Sequence, residues 1–195
     1  MFHLGLIINP LAGLGGSVAL KGSDGVAEQA LALGAEPRAA QRTRLALEQL
    51  LPLKERIEFL SFSGAMGADL LEQMGFRHRL LGEPHAGPTT AIDTQLAVEQ
   101  LQEAGCALIL FAGGDGTARD ICAAVGESCH VLGIPAGCKI HSGVYGVTPA
   151  ASGRVVARMI AGELLSLIDA EVRDIDEEAF RAGKVRARHY GQLKV

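Results

Sequence analysis

Residues 104–120 read AGCALILFAGGDGTARD, and this stretch decides the fold. It opens with an apolar run over Cys106–Ala112, which is short and uninterrupted and therefore predicts a strand buried on both faces. The glycine-rich loop Gly113–Thr117 follows. After it comes a predicted helix, whose apolar positions are Ala118, Ile121, Cys122 and Val125. A strand, a glycine loop and a helix in this order present backbone N–H groups and a helix N-terminus to a phosphate.

Asp115 lies at the centre of the glycine loop. A loop that only holds phosphate gains nothing from a carboxylate, because the negative charge repels the ligand. Asp115 makes chemical sense if it takes a proton from an attacking hydroxyl or holds a metal ion. Gly-Gly-Asp-Gly is also good tight-turn chemistry, since Gly tolerates positive φ and Asp bonds its own backbone. The position of the loop between a buried strand and a helix favours the functional interpretation.

Further strands and helices alternate along the chain. Apolar runs predict four more strands, at Leu4–Ile8, Ile57–Phe62, Phe76–Leu81 and His130–Pro135. Helical spacing predicts helices over residues 26–33, 37–51, 68–74, 90–104 and 149–161. The alternation predicts an α/β fold with a doubly wound, mainly parallel sheet flanked by helices. The strand at Phe76–Leu81 is the more polar one, which indicates a position near an edge of the sheet.

Two of these helices have a predicted buried side. In the helix that Thr89 or Thr90 caps, the residues expected inside are Ile92, Leu96, Val98 and Leu101. In the helix that begins at Pro149, the residues expected inside are Val155, Val156, Met159 and Ile160.

Polar residues follow the first strand, where open α/β sheets bind ligands. Asn9 comes directly after it, and the pattern leaves open whether its side chain donates to a phosphate or caps the turn. Glycines at 13, 15, 16, 22 and 25 make the following loop either a ligand loop or a flexible surface connection. Asp24 fits a helix N-cap better than a ligand. Ser61 and Ser63, at the end of the second strand, fit an ordinary turn slightly better than a crevice lining.

Lys139, His141 and Ser142 follow the fifth predicted strand in the segment Ala136–Gly143. Lys139 would supply a point charge for phosphate, and Ser142 with nearby backbone amides would supply hydrogen-bond donors. His141 taken alone is more typical of a structural residue that is hydrogen-bonded to a backbone carbonyl. The strand end is nevertheless the second candidate for a functional loop.

Several motifs together resemble the NAD kinase, diacylglycerol kinase and phosphofructokinase superfamily. The sequence GGDGT at 113–117 behind the strand ILFA resembles the signature of that superfamily, and INPLAG at 8–13 is similar to its N-P-x-A-G loop. The sequences LKGSDG at 20–25 and GIPAGCKIHS at 133–142 resemble the ATP-NAD kinase branch that includes the acetoin-catabolism X-type proteins.

The resemblance implies an ATP-dependent kinase that phosphorylates a hydroxyl on NAD or a related ligand. It implies that Asp115 is the general base and that Mg²⁺ bridges the nucleotide oxygens, with no metal ligand assigned in this chain. The residues implied in nucleotide or phosphate binding are Asn9, Gly113, Gly114, Gly116, Thr117, Lys139 and Ser142, with Asp24 and His141 as further candidates. A lipid or sphingoid-base kinase shares the GGDGT loop, and a nucleotide-binding module without turnover is the non-enzymatic alternative.

The C-terminal part of the chain loses the helical period. Residues 1–163 are predicted to form the α/β nucleotide-binding kinase domain, and residues 164–195 the start of a second, β-rich domain. Val185–Tyr190 alternates like a strand with one exposed face. Two or three strands do not form a domain by themselves, and the Asn-Glu motif of the family's second domain does not occur after Ser166. The expectation is a truncated chain that ends in a short β stub.

Composition excludes several classes of function. The 195 residues carry a formal net charge of −4 without a cluster of Lys and Arg, and aromatic residues make up 4%. Neither a nucleic-acid surface nor a membrane surface is therefore expected. No signal peptide or membrane span is evident, so a cytoplasmic protein is expected, with NAD and ATP as ligands and with itself as oligomeric partner. The four cysteines form no C-x-x-C pair and fit small core residues better than a zinc site.

Overall fold

The computed structural model describes residues 1–14, 38–125, 129–137, 140–163, 166–175, 184 and 186–195. Within these residues, five parallel strands form one sheet in the order β3-β2-β1-β4-β5. Their bounds are Phe2–Ile8 (β1), Ile57–Phe62 (β2), His78–Gly82 (β3), Leu108–Gly113 (β4) and Val131–Pro135 (β5). The predicted parallel α/β sheet is confirmed, and the more polar strand β3 lies at its edge.

Helices flank the sheet on both faces. The α-helices are Ala39–Leu47 (α1), Ala68–Met74 (α2), Ala91–Glu103 (α3), Asp115–Ala124 (α4) and Pro149–Ile160 (α5). Two 3₁₀ segments, Glu48–Arg56 and Gly64–Met66, complete the helical structure of the described residues. No helix in this part of the chain has both the length and the apolarity to cross a bilayer.

The alternation of side chains along β1 creates two cores. Leu4, Leu6 and Ile8 face one side of the sheet and pack with buried residues of α1, α2 and α5. Ile7 faces the other side and packs with buried residues of α3 and α4. All four side chains are at most 1% exposed, so the central strand is covered on both faces as the uninterrupted apolar run predicted.

Several strands and helices begin and end at the residues that the sequence predicts. The predictions for Ile57–Phe62 and Ala68–Met74 are confirmed residue by residue, and Thr90 is the residue that caps α3. The helix predicted over 37–51 changes character instead, since α1 ends at Leu47 and a 3₁₀ segment that contains Pro52 continues to Arg56. Proline lacks the N–H that an α-helix would use there. The helix predicted over 26–33 lies outside the described residues.

Two residues predicted to be buried are exposed. Ile92 is 64% exposed and Val155 is 41% exposed. The buried stripe of α3 consists of Asp93, Thr94, Ala97, Val98 and Leu101, because the capping box between Thr90 and Asp93 turns Asp93 inward and Ile92 outward. On α5 the buried stripe begins with small residues, Ser152 and Gly153, and Val155 falls beside it. Small and polar residues thus form part of both stripes, which an apolar spacing cannot reveal.

The C-terminal strands form a hairpin of their own. Strands β6 (Asp169–Ile175) and β7 (Ala187–Lys194) pair antiparallel as a two-stranded sheet, which confirms the predicted short β structure at this end. Its apolar face is not free, because Ala170, Val172 and Leu193 are buried in the same core as Ile121 of α4. A domain boundary at residue 163 stays a prediction.

Candidate active site

The strand order reverses between β1 and β4, and the candidate site lies at this reversal. The loops that follow these strands begin side by side, with the backbone N–H of Asn9 donating to the carbonyl oxygen of Ala112 at 2.9 Å. Open α/β sheets bind ligands outside the carboxyl ends of their strands at such a reversal. The predicted ligand loops after Ile8 and after Ala112 therefore lie side by side at this reversal.

The loops after β4 and β5 touch through their backbones. The carbonyl oxygen of Gly113 accepts hydrogen bonds from the N–H groups of Ala136, at 2.9 Å, and Gly137, at 3.0 Å. A Cβ atom on Gly137 would lie 2.6 Å from the Cα of Gly114, closer than two carbon atoms can pack. A Cβ on Gly113 would lie 2.4 Å from the Cβ of Thr117. Glycine is thus required at position 113 by the nearby Thr117 side chain and at position 137 by the nearby backbone of Gly114.

Asp115 is the first residue of α4, and its side chain is only 5% exposed. Its Oδ2 accepts hydrogen bonds from the backbone N–H of His141 at 2.7 Å and from the ring Nδ1 of His141 at 3.1 Å. Its Oδ1 accepts one from the backbone N–H of Ser142 at 3.0 Å. The positive end of the helix dipole and these donors together compensate a negative charge that burial alone would disfavour.

Ser142 ties this loop to the C-terminal hairpin. Its hydroxyl donates to the carbonyl oxygen of Arg173 at 2.8 Å, and the backbone N–H of Arg173 donates back to the same hydroxyl at 3.0 Å. The N–H of Gly143 donates to the carbonyl oxygen of Glu171 at 2.8 Å. Strand β6 therefore supports the segment that holds the Asp115 carboxylate.

Asn9 uses its side chain in two directions. Its Oδ1 accepts a hydrogen bond from the N–H of Leu11 at 3.0 Å, and its Nδ2 donates to the Thr117 hydroxyl at 2.9 Å. The turn-capping alternative is thus observed, together with a link to the first turn of α4. A phosphate contact from Asn9 stays a prediction.

Sequence reasoning missed Tyr145, whose hydroxyl donates to the carbonyl oxygen of Gly114 at 2.6 Å. Burial raises the pKa of this hydroxyl well above its usual range, and the charges of Asp115, Asp174 and Asp120 add to the effect. The ring occupies space beside Gly133, where a Cβ would lie 2.2 Å from it. A glycine inside a strand signals such a close approach, so Gly133 was the available clue.

Arg119 was also missed. Its Nη1 lies 2.9 Å from Oδ2 of Asp174, and its guanidinium carbon lies 5.8 Å from the centre of the Tyr190 ring. Arg119 therefore joins α4 to both strands of the hairpin.

The structure brings some of the predicted residues together and leaves others undescribed. Asp115, His141 and Ser142 form one hydrogen-bonded group, and His141 bonds a carboxylate rather than the expected backbone carbonyl. Lys139 and Asp24 lie outside the described residues. Ser61 is fully buried within β2 and donates to the carbonyl oxygen of Leu6 on the neighbouring strand β1 at 2.8 Å, so its hydroxyl supports the sheet.

The described residues offer no cage for a metal ion. Among them, no three His, Cys, Asp or Glu side chains are grouped so as to hold one. The oxygens of Asp115 are already engaged by three donors. Mg²⁺ is commonly bound through substrate phosphates and water with few protein ligands. A magnesium ion that arrives with a nucleotide would not need such a cage, and the backbone and hydroxyl groups of the glycine loop would hold the nucleotide that carries it.

The family is decided by a comparison with known protein families. Residues 4–164 match the model of the ATP-NAD kinase N-terminal domain. The chain belongs to the ATP-NAD kinase family. The match covers β1 from Leu4 onward, the other four strands of the parallel sheet, helices α1–α5 and the loops after β1, β4 and β5. No curated protein sequence matches the chain significantly. The assignment to the acetoin-catabolism branch within the ATP-NAD kinase family stays a prediction.

Proposed function

We propose that this chain supplies part of the active site of a kinase that transfers a phosphoryl group from ATP to a hydroxyl of NAD or a related nucleotide. Family membership supports a kinase-like function on NAD. The single observation that carries the proposal is the buried carboxylate of Asp115, which stands at the strand-order reversal and at the N-terminus of α4. A negative charge there suits proton transfer, because phosphate binding alone would not use it.

The roles proposed for the other residues follow from their places around Asp115. Gly116 and Thr117 belong to the first turn of α4, whose N–H groups lack partners within the helix and suit phosphate oxygens. Asn9, which follows β1, supports the same turn through its hydrogen bond to the Thr117 hydroxyl. Gly113 and Gly114 let the loops approach, and Lys139 is proposed as a phosphate contact from the neighbouring loop. Ser142 is proposed to support that loop, because its hydroxyl and its N–H already donate to Arg173 and Asp115. Mg²⁺ bound to the nucleotide would neutralise phosphate charge during transfer.

Turnover distinguishes a kinase from a nucleotide-binding module, which would bind the same ligands without a reaction. Titration calorimetry of the full chain with ATP and Mg²⁺, and separately with NAD, tests binding, and NADP formation tests the reaction. Asp115→Asn should lower turnover by roughly 100-fold or more while nucleotide affinity changes only a few-fold, the scale of a lost proton-transfer group. The matched control is Asp69→Asn, since Asp69 is exposed in the first turn of α2.

Each result has one meaning. Turnover that Asp69→Asn preserves and Asp115→Asn abolishes supports the kinase. Binding of ATP or NAD without any turnover would support the nucleotide-binding module. Phosphorylation of a lipid in place of NAD would support the lipid-kinase alternative. Failure to bind either nucleotide would contradict the proposal.

A further inference from the structure

We infer that His141 takes the proton from the acceptor hydroxyl. Asp115 orients the His141 ring and stabilises the positive charge that the ring then acquires. The inference rests on the proposed function and deepens it, since it assigns the proton to a different atom of the same site. It changes the role of Asp115 from the base itself to a positioning residue behind the base.

The imidazole of His141 is more exposed than the carboxylate of Asp115. A general base must come within hydrogen-bond distance of the hydroxyl whose proton it takes. The Asp115 side chain is 5% exposed, and its two oxygens are engaged by His141 and Ser142. The His141 side chain is 37% exposed. The imidazole is therefore more accessible to a ligand than the carboxylate is.

Asp115 also influences which nitrogen of the His141 ring carries the proton. Oδ2 of Asp115 lies 3.1 Å from Nδ1 and can only accept, so of the two tautomers of a neutral ring it favours the one with the proton on Nδ1. The lone pair is then on Nε2, which is the acceptor in that form. Among the described residues, Nε2 has no hydrogen-bond partner. A carboxylate that bonds one imidazole nitrogen and leaves the other to a substrate hydroxyl is the arrangement of a proton-accepting pair.

The His141 ring is not needed to hold the loop that carries His141 and Ser142. The backbone N–H of His141 already donates to Oδ2 of Asp115 at 2.7 Å, and Ser142 donates to Oδ1. The Ser142 hydroxyl in turn donates one hydrogen bond to the backbone of Arg173 and accepts another from it. The loop keeps these contacts when the ring is replaced, so the ring contact is available for a chemical role.

The step balances as follows. The proton of the acceptor hydroxyl moves to Nε2 of His141, and the oxygen uses the freed electron pair to bond the γ-phosphorus of ATP. The bond between that phosphorus and the oxygen that bridges to the β-phosphate breaks, and its electron pair leaves with ADP. The imidazolium is stabilised by the charge of Asp115 and later gives its proton to water.

The chain contains a matched control for this arrangement. His85 also bonds a buried carboxylate through Nδ1, at 2.7 Å from Oδ1 of Asp93, and its side chain is 67% exposed. It lies after β3, at the edge of the sheet, and is not part of the candidate site. His85→Gln removes the same kind of histidine contact without touching Asp115.

The experiment combines kinetics with nitrogen NMR on the full chain. His141→Gln should lower kcat for NAD phosphorylation by about 100-fold or more, with KM within about threefold of wild type, whereas His85→Gln should leave both within about threefold. Imidazole added to His141→Ala should restore part of kcat. At about pH 8.5, where an ordinary imidazole is neutral, the His141 resonances of wild type should show the proton on Nδ1.

The outcomes are distinguishable. Wild-type turnover that His141→Gln retains within a few-fold overturns the inference and leaves the proposed function intact. A proton on Nε2 of His141 also overturns it, whatever the kinetics show. A wild-type chain that neither binds NAD nor turns over overturns the proposed function, and the base assignment with it. Loss of kcat in His141→Gln alone, partial rescue and the Nδ1–H form together support the inference.

Discussion

The side-chain amide of Asn9 donates a 2.9 Å hydrogen bond to the hydroxyl of Thr117, 108 residues further along the chain. It joins the end of β1 to the first turn of α4 across the strand-order reversal. Two loops recognised separately from their sequences are thus one hydrogen-bonded unit.

We expect Asn9→Ala to destabilise the protein by about 1–3 kcal/mol, because it leaves the buried Thr117 hydroxyl and the Leu11 N–H without their partner. Urea unfolding of Asn9→Ala, Thr117→Val and the double variant measures the effect. The cycle should give a coupling of about 0.5 kcal/mol or more between the two residues. Strict additivity would show that the contact does not contribute to stability.

Ser142→Ala should loosen the junction between the candidate site and the hairpin. The variant loses both bonds to the backbone of Arg173, and we expect a loss of about 1–2 kcal/mol. Hydrogen exchange should show faster exchange at the Arg173 amide than in wild type. Ser166→Ala, at an exposed position, is the control. Unchanged protection at Arg173 would mean that the hydroxyl does not hold β6.

Gly137→Ala should be destabilising even though alanine restricts the unfolded chain more than glycine does. The new methyl group would lie 2.6 Å from the Cα of Gly114, and separating the two loops should cost about 1–3 kcal/mol. Gly143→Ala is the comparison, since its nearest contact would be 3.7 Å. Thermal unfolding of the two variants measures the difference. Equal melting temperatures would contradict the close approach of the loops.

Asp93 should make stability depend on pH in the acid range. Burial alone would raise the pKa of its carboxyl, but the backbone N–H groups of His85 and Thr90, with their side chains, outweigh burial and hold the pKa well below the usual 3.8. A carboxyl with a lowered folded-state pKa contributes stability above its unfolded-state pKa, and this contribution is lost as pH falls below that value.

We therefore expect Asp93→Asn to be less stable than wild type at neutral pH by about 1–3 kcal/mol, the cost of breaking a buried, multiply bonded group. The difference should shrink as pH falls from about 4 towards 2. Unfolding measured across this range checks the sign. A constant difference at every pH would show that the charge of Asp93 is not responsible.

Local patterns were enough to predict the sheet and the glycine loop that contains Asp115, whereas the role of Asp115 stays a prediction. Apolar runs mark β1, β2 and β4 because a strand covered on both faces needs apolar residues throughout. The same patterns failed for Ile92 and Val155, since Asp93 and Gly153 occupy buried positions for capping and close packing.

The contacts that complete the site were not predictable from local patterns. The hydrogen bond of Tyr145 to Gly114 and the two hydrogen bonds between Ser142 and Arg173 each join residues 31 positions apart, and Tyr145 and Ser142 lie in a segment without periodicity. Only the three-dimensional path of the segment after β5 sets these pairs. Sequence reasoning therefore identified His141 and Ser142 as candidates but not the partners that define their roles.

The support that β6 gives to Ser142 has a consequence for the order of events during synthesis. A nascent chain that has passed Ala124 already contains β4, the glycine loop and Asp115, yet it lacks the donors that hold the carboxylate. Those donors are fixed through Arg173, and β6 is paired and covered only when Leu193 has been added. Chains fold from their N-terminal part as they are made. Asp115 therefore acquires its observed hydrogen bonds only after β6 and β7 have been synthesised, long after the glycine loop that carries it.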